Sequence, residues 1–366
     1  MQLEKIRLIN FKNYEDLKLD FDPKMNCLVG LNGMGKTNVL DAIYYCCMSK
    51  SHFAIQDAHI IRHEESFFRL EANFKNEDKK SKIVVKLQSK KPKVFELNDA
   101  PYEKLIDHIG RYPIVMISPD DTQLATEGSE ARRKLIDNTL SQLSPDYLMA
   151  LITYNGIVKQ RNAALKLMYQ QHNYNATLIN IYNEQLLEPA QKIHEARKQF
   201  LTQLNPIFIE FYKTISGNQE QVEMEFVSDM LNESLENLFL KNTEKDRILQ
   251  RTSEGPHRDD IQFSINGQLL KRFASQGQLK SFILALKLAQ YELLRLQKGI
   301  VPILLLDDIF DKLDPNRVAF LLDLLLTPNI GQVFISDTHT DRIANILSSK
   351  NQSYKVFEIE NGNLKA

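Results

Sequence analysis

Gly30-Leu31-Asn32-Gly33-Met34-Gly35-Lys36-Thr37 fits the phosphate-loop pattern G-x-x-x-x-G-K-[ST]. The residues on either side fit as well. Met25 to Val29 reads as a short buried strand. Asn38 to Met48 reads as a helix with Val39, Leu40, Ala42, Ile43 and one of Cys46 or Cys47 on its apolar face. Strand, glycine turn and helix form the context that the motif requires. The glycines let backbone N–H groups turn inward around phosphate oxygens without Cβ clashes. The helix that follows points its unpaired N–H groups and positive dipole end at the same place. Lys36 adds a mobile charge for the terminal phosphates, and the Thr37 hydroxyl is a ligand for Mg2+. All eight residues are therefore candidate nucleotide contacts, and a nucleoside triphosphate with Mg2+ is the expected ligand pair.

The chain has 366 residues, enough for two or three domains or one large domain with an insertion. Hydrophobic residues make up 43%, so a substantial core can form, and the formal net charge of −1 confines any nucleic-acid site to a local patch. The three cysteines, Cys27, Cys46 and Cys47, lack zinc spacing. The adjacent pair is expected to be one core thiol and one surface thiol. No apolar run reaches membrane-spanning length and the N-terminus lacks a signal-peptide core, so the expectation is a cytoplasmic protein with no membrane partner.

Along the chain, Leu3 to Phe11 and Leu17 to Phe21 predict a hairpin through Asn10 to Tyr14. Phe67 to Phe74, Lys82 to Gln88 and Lys93 to Leu97 predict antiparallel strands. Between Lys75 and Lys93 stand eight lysines against Glu77 and Asp78, a net of +6. Two readings are open there: a hairpin touching DNA phosphates, or a solvated edge guarded by lysines, with the balance toward the second. Tyr112 to Ser118 is an apolar strand. From Ser129 to Ser216 there is a single glycine, Gly156, and apolar residues recur at helical spacing. Several packed helices are expected, one opening at Ser144-Pro145. Arg132, Arg133 and Lys134 near a helix start oppose the dipole, which keeps a phosphate-contacting role open for them. Strand character returns after Gly255, with a turn at Asn266-Gly267. A long helix runs from Leu279 to Gln297, a buried strand from Ile300 to Leu306, a helix from Asn316 to Leu326 and a buried strand from Gln332 to Ser336. Tyr354 to Leu364 closes as a small hairpin.

Two further motifs narrow the phosphate loop's meaning. Ile303-Leu304-Leu305-Leu306-Asp307 is a hydrophobic strand ending in an acid, in which Asp307 can hold Mg2+ through water while Thr37 holds it directly. Asp308 follows at once and is the candidate catalytic base for the attacking water. Ser275-Gln276-Gly277-Gln278 at the head of the long helix offers a hydroxyl, a flexible amide and a dipole, which is the chemistry of a second phosphate reader.

The order of phosphate loop, reader and acid-tipped strand, then Phe310-Asp311-Lys312-Leu313-Asp314, resembles ATP-binding-cassette ATPases. In that family one subunit's reader completes another's ATP site. The 238 positions between Thr37 and Ser275, largely helical, resemble the SMC-like branch. The fold implied is α/β: an ABC-type (SMC-like) P-loop ATPase head with an inserted α-helical lobe. Its expected divisions are an N-terminal ATPase part over 1–125, the helical lobe over 126–250, and a C-terminal ATPase part over 251–366. More narrowly, the chain resembles the RecF family over its full length. The resemblance rests on the phosphate loop through Asn38, Ser118-Pro119-Asp120-Asp121, Arg132-Arg133, Gly255-Pro256-His257-Arg258-Asp259-Asp260, Ser275 to Lys280, and Leu305 to Asp308. It implies an ATP-dependent DNA-binding protein of gap repair that dimerises around ATP, hydrolyses it slowly and acts with RecO and RecR in loading RecA. Double-stranded, single-stranded and gapped DNA are the implied partners. The alternative is another SMC-like head acting on chromosomal DNA. The chain departs from related cassettes at three places. Asp120 stands where they carry a glutamine, Asp308 where they carry a glutamate, and Ser336-Asp337 where transporters carry Thr-His, with His339 two positions on.

Overall fold

The computed structural model describes residues 1–54, 56–218, 220–310, 315–339 and 353–365. They divide into two compact units, Met1–Asp121 with Leu286–Ala366, and Thr122–Ala285.

The first unit holds two sheets, with strands numbered in chain order. β1 (Gln2–Phe11) and β2 (Tyr14–Asp20) form the expected hairpin. β4 (Phe67–Asn76), β5 (Lys79–Gln88), β6 (Val94–Leu97) and β7 (Ala100–Pro101) extend it into an antiparallel sheet in the order β2-β1-β4-β5-β6-β7. The other sheet is built from β3 (Met25–Val29), β8 (Ile114–Ile117), β12 (Ile303–Leu306), β13 (Val333–Asp337), β14 (Lys355–Glu360) and β15 (Asn363–Leu364). Its order is β15-β14-β3-β13-β12-β8, parallel from β14 to β8. β3, β8, β12 and β13 are buried throughout, as their unbroken apolar character requires of parallel strands covered on both faces. The chain's last strands are thus more than a terminal hairpin, because β14 lies directly beside the strand that carries the phosphate loop.

The helix Lys36–Met48 touches β1, β4 and β5 of one sheet and β8 and β13 of the other. Its sides are therefore enclosed, and Tyr44, Tyr45, Cys46 and Cys47 are all buried. The expectation of a single apolar face with one surface thiol is corrected: both cysteines lie in the core, with Cys27. Gln332 fastens strand ends here. Its side chain accepts from Leu3 N (2.7 Å) and donates to Leu3 O (2.9 Å) and Asp22 O (2.8 Å).

The second unit is led by helices Ser129–Leu143, Pro145–Gln170 and Ala176–Ser216. Ser144 caps the second, accepting from Tyr147 N at 3.1 Å, and Asn175 caps the third, accepting from Leu178 N at 3.0 Å. The unit reaches past the expected limit of 250. The reason is a strand missing from the sequence-based expectations although Val222-Glu223-Met224-Glu225-Phe226 alternates, β9 (Val222–Val227), which pairs antiparallel with β10 (Asp260–Ile265); β11 (Gln268–Leu269) completes this small sheet. The helix Gln276–Lys298 begins in this unit.

Candidate nucleotide site

In the first unit the loop leaves the C-terminal end of β3, the end of a parallel sheet where ligands bind. Gly30 (φ +145°) and Gly35 (φ +116°) both adopt left-handed backbone that a side chain would strain. Space forbids a side chain too. A Cβ on Gly30 would strike Ile359 O, and one on Gly35 would lie 2.6 Å from Asn13 Nδ2 and 2.7 Å from the Tyr14 hydroxyl oxygen. The β1–β2 turn thus braces the loop. Tyr14 OH donates to Gly35 O (3.0 Å), Asn13 Nδ2 donates to Met34 O (3.2 Å), and Asn38 Nδ2 donates to Asn13 Oδ1 (2.7 Å). From the other side Gly362 N donates to Met34 O (3.2 Å). Leu31, Asn32 and Gly33 form the exposed crest.

Lys36 is 3% exposed, and its Nζ donates to Gly30 O (2.8 Å) and Leu31 O (3.1 Å). An ammonium has three donors, so one remains for a phosphate oxygen. The helix opens without a side-chain cap or an acid in its first turn, leaving its amides to an anion.

Thr37 and Asp307, 270 positions apart, meet: Thr37 Oγ1 donates to Asp307 Oδ1 (2.9 Å) and Oδ2 (3.1 Å). Burial pushes the Asp307 carboxyl above its ordinary value, and hydrogen bonds from Ser336 and Thr37 oppose that shift. A hydroxyl and a carboxylate at this separation are hard oxygen donors suited to Mg2+. Asp308 sits beside them in left-handed backbone, φ +43°. Ser336, at the end of β13, joins the two acids. Its Oγ lies 2.8 Å from Asp307 Oδ1 and 3.1 Å from Asp308 Oδ1, and it accepts from Asp308 N at 2.8 Å. In the sequence Ser336 stands out only as a departure from another pattern. The signal that finds it is position, since a serine ending the strand next to β12 must face the residues that end β12.

Asp120 is exposed on the turn after β8, at the same end of the sheet; its neighbour Asp121 is buried and pairs with Lys287 at 3.2 Å. His339 is exposed, with its N–H held by Asp337 Oδ1 at 2.9 Å. Asp311 to Asp314 lie outside the described residues.

In the second unit, Ser275 and Gln278 bond each other as a capping box. Gln278 N donates to Ser275 Oγ (3.2 Å) and Ser275 N donates to Gln278 Oε1 (2.6 Å). Gln278 Nε2 also donates to Glu220 Oε1 (2.6 Å), so its side chain serves the helix start. Ser275 and Gln276 are exposed and Gly277 is half-buried, which leaves the hydroxyl proton and the first-turn amides facing outward.

Other sequence candidates change role. Arg132 is 9% exposed and grips Asp260 with Nε (2.6 Å) and Nη2 (2.9 Å), while Nη1 donates to Leu124 O (2.9 Å). Arg133 donates to Asp259 O and the Ser129 hydroxyl. The phosphate-contacting reading of this pair is corrected to a structural one. In the Gly255–Asp260 segment, His257 is held between Tyr154 OH (2.6 Å) and Thr252 O (3.0 Å), and Asp259 pairs with Arg197 at 2.8 Å. Arg197 is itself 2% exposed and also bonds Pro256 O and Asp137. Most of this segment is therefore a clamp within the unit, and Arg258 is its exposed side chain. The lysines after residue 75 do not form one patch. β5 spans roughly 30 Å at about 3.3 Å per residue; Lys79 and Lys80 lie at its start, and Lys90 and Lys91 lie beyond its end. Lys80, Lys82, Lys86 and Lys93 pair with Glu4, Asp99, Glu96 and Asp57.

Comparison with known proteins agrees with this geometry. Residues 2–365 match the family model described as the RecF/RecN/SMC N terminal domain. The DNA replication and repair protein RecF of Flavobacterium johnsoniae is 46% identical over 98% of this chain and 100% of its own length. The chain belongs to the RecF family. RecF of Cytophaga hutchinsonii is 41% identical over 100% of the chain and 97% of that relative. A solved structure of the recombination mediator protein RecF-ATP in the RecFOR pathway superposes with a TM-score of 0.90 at 29% identity, covering 100% of this chain and 97% of that one. An Smc head domain from Pyrococcus furiosus shares the fold, with a TM-score of 0.57 at 16% identity over 100% of this chain and 95% of that one. The ABC-type, SMC-like head expected from the motifs is the fold observed in this RecF-family chain.

Proposed function

We propose that the chain is an ATP-dependent DNA-binding protein of recombinational repair and replication-gap processing. It closes as a homodimer around ATP on DNA, hydrolyses ATP slowly and assists RecA loading together with RecO and RecR. The observation that carries the reading is the meeting of Thr37, Asp307 and Asp308 at the mouth of a braced phosphate loop. The relatives support it: they are named DNA replication and repair proteins, and one is solved as RecF-ATP in the RecFOR pathway. In this reading the loop amides and Lys36 bind the phosphates, and Thr37 with Asp307 holds Mg2+. The metal supplies positive charge against the terminal phosphates. Asp308 accepts a proton from the attacking water. Ser275 and Gly277 read the partner subunit's terminal phosphate. Lys90 and Lys91 are exposed, with no ion pair among the described residues, and are the DNA contacts to test first.

The test is DNA binding with and without ATP, on double-stranded, single-stranded and gapped substrates, across a salt series. Affinity should rise with ATP and fall steeply with salt, by roughly 0.9 log units per log of salt for each neutralised phosphate. Charge reversal at Lys90 and Lys91 should flatten that slope. Binding indifferent to ATP on every substrate would sink the switch.

A further inference from the structure

Ser336 is fully buried, and its one hydroxyl serves three groups. Parallel pairing of β12 with β13 is registered as far as Leu306 opposite Ile335. One residue later, Asp307 N still reaches a main-chain oxygen, that of Ile117 at 2.9 Å. Asp308 has turned into left-handed backbone, and its N–H goes to the Ser336 side chain instead. A serine hydroxyl therefore completes, at this corner, a ladder that the main chain has abandoned.

The same oxygen carries a single proton and faces two carboxylates, Asp307 Oδ1 at 2.8 Å and Asp308 Oδ1 at 3.1 Å. It can donate to only one at a time. Given to Asp307, the proton leaves the Asp308 carboxylate with no donor from Ser336 and free to accept. Given to Asp308, it occupies the oxygen that a water would use. We propose that Ser336 is a positioning residue of the hydrolytic centre: by taking the Asp308 N–H and giving its own proton to Asp307, it fixes the two-acid corner and keeps Asp308 bare as an acceptor. The proposal rests on the hydrolytic reading of the site given above. It assigns Ser336 no contact with nucleotide, so its effect belongs to turnover and not to binding.

The experiment compares the full-length wild-type chain with Ser336→Ala and Ser336→Thr. Three readouts are needed: DNA-stimulated ATP turnover, ATP affinity by calorimetry in chelator without divalent metal, and thermal melting. Ser336→Ala should lower turnover by about tenfold or more, the scale of a displaced catalytic group, while metal-free ATP affinity stays within about threefold. Ser336→Thr, which restores the hydroxyl, should return most of the lost turnover. Wild-type turnover in Ser336→Ala overturns the proposal. So does a parallel fall of turnover, affinity and melting temperature that threonine fails to restore, which marks a packing role. A wild-type chain that binds ATP and DNA without measurable turnover overturns both the hydrolytic reading and this one, whereas turnover indifferent to Ser336 removes this one alone.

Discussion

Lys36 and Asp308 carry charge at the same mouth, and their variants should fail in different ways. The Lys36 ammonium is held within the loop by two carbonyls. Lys36→Ala should remove most ATP affinity and leave the fold intact, because the brace from Asn13, Tyr14 and Gly362 does not pass through that side chain. Calorimetry showing unchanged ATP binding would overturn the phosphate-loop assignment. Asp308→Asn should keep ATP and metal binding and stop hydrolysis, since an amide cannot accept the water's proton. A stable ATP-bound dimer on a sizing column is the expected signature, and continued turnover would place the base elsewhere. Both residues stand out in the sequence as candidates because each sits inside a short motif whose chemistry is local. Ser336 does not, because its role appears only once β13 lies beside β12.

At the scale of elements, the buried histidine under the phosphate-loop helix sets a pH response. His108 is fully buried, with Nε2 2.7 Å from Cys46 O and Nδ1 3.2 Å from Tyr102 OH. Burial lowers its pKa from 6.5 to about 4. The unfolded chain therefore binds this proton first, and folded stability falls as pH drops from about 6.5 toward about 4. By pH 5 the loss should be about 2 kcal/mol relative to pH 7. Urea melts at the two pH values should show this loss together with a similar share from His257, whose pKa burial also lowers to about 4, and His108→Gln should remove only the His108 share of about 2 kcal/mol; an unaltered difference would assign the effect to other groups. The same scale separates what patterning reveals from what it hides. The buried strands and long helices announce themselves by unbroken or 3.6-residue apolar periodicity. The insertion of β14 beside β3 does not, since register between strands more than 300 positions apart leaves no local trace. Nor do the buried arginines. Arg161 and Arg197, 1% and 2% exposed, face Asp246 and Asp259, partners far away along the chain that no local pattern indicates. Likewise Arg132 and Arg133 suggested a ligand because their charge opposed a helix dipole, and Asp260 and Asp259 O supply the answer from within the unit.

For the molecule as a whole, the decisive question is whether the Ser275 reader works on its own subunit's nucleotide or on a partner's. Its hydroxyl is exposed and its capping role uses only the oxygen lone pair. Ser275→Arg should leave ATP binding by the isolated chain near normal and abolish ATP-induced dimerisation, with a loss of about 1 kcal/mol from the cap. Mixed with Lys36→Ala protein, it should regain part of the ATPase, because one composite site per heterodimer stays intact. If Ser275→Arg alone loses affinity as severely as Lys36→Ala, the reader serves its own subunit and the dimer model fails. Such mixtures need a way to mark each chain, and the core provides one. Cys27, Cys46 and Cys47 are all buried, and burial raises each thiol's pKa above its ordinary value. Reactivity toward maleimides follows the thiolate and its exposure, so the folded chain is chemically silent to them. A cysteine placed at the exposed Lys166, away from every candidate contact named above, would be the sole labelling point, so each chain of a mixture could carry its own dye on a native-cysteine background.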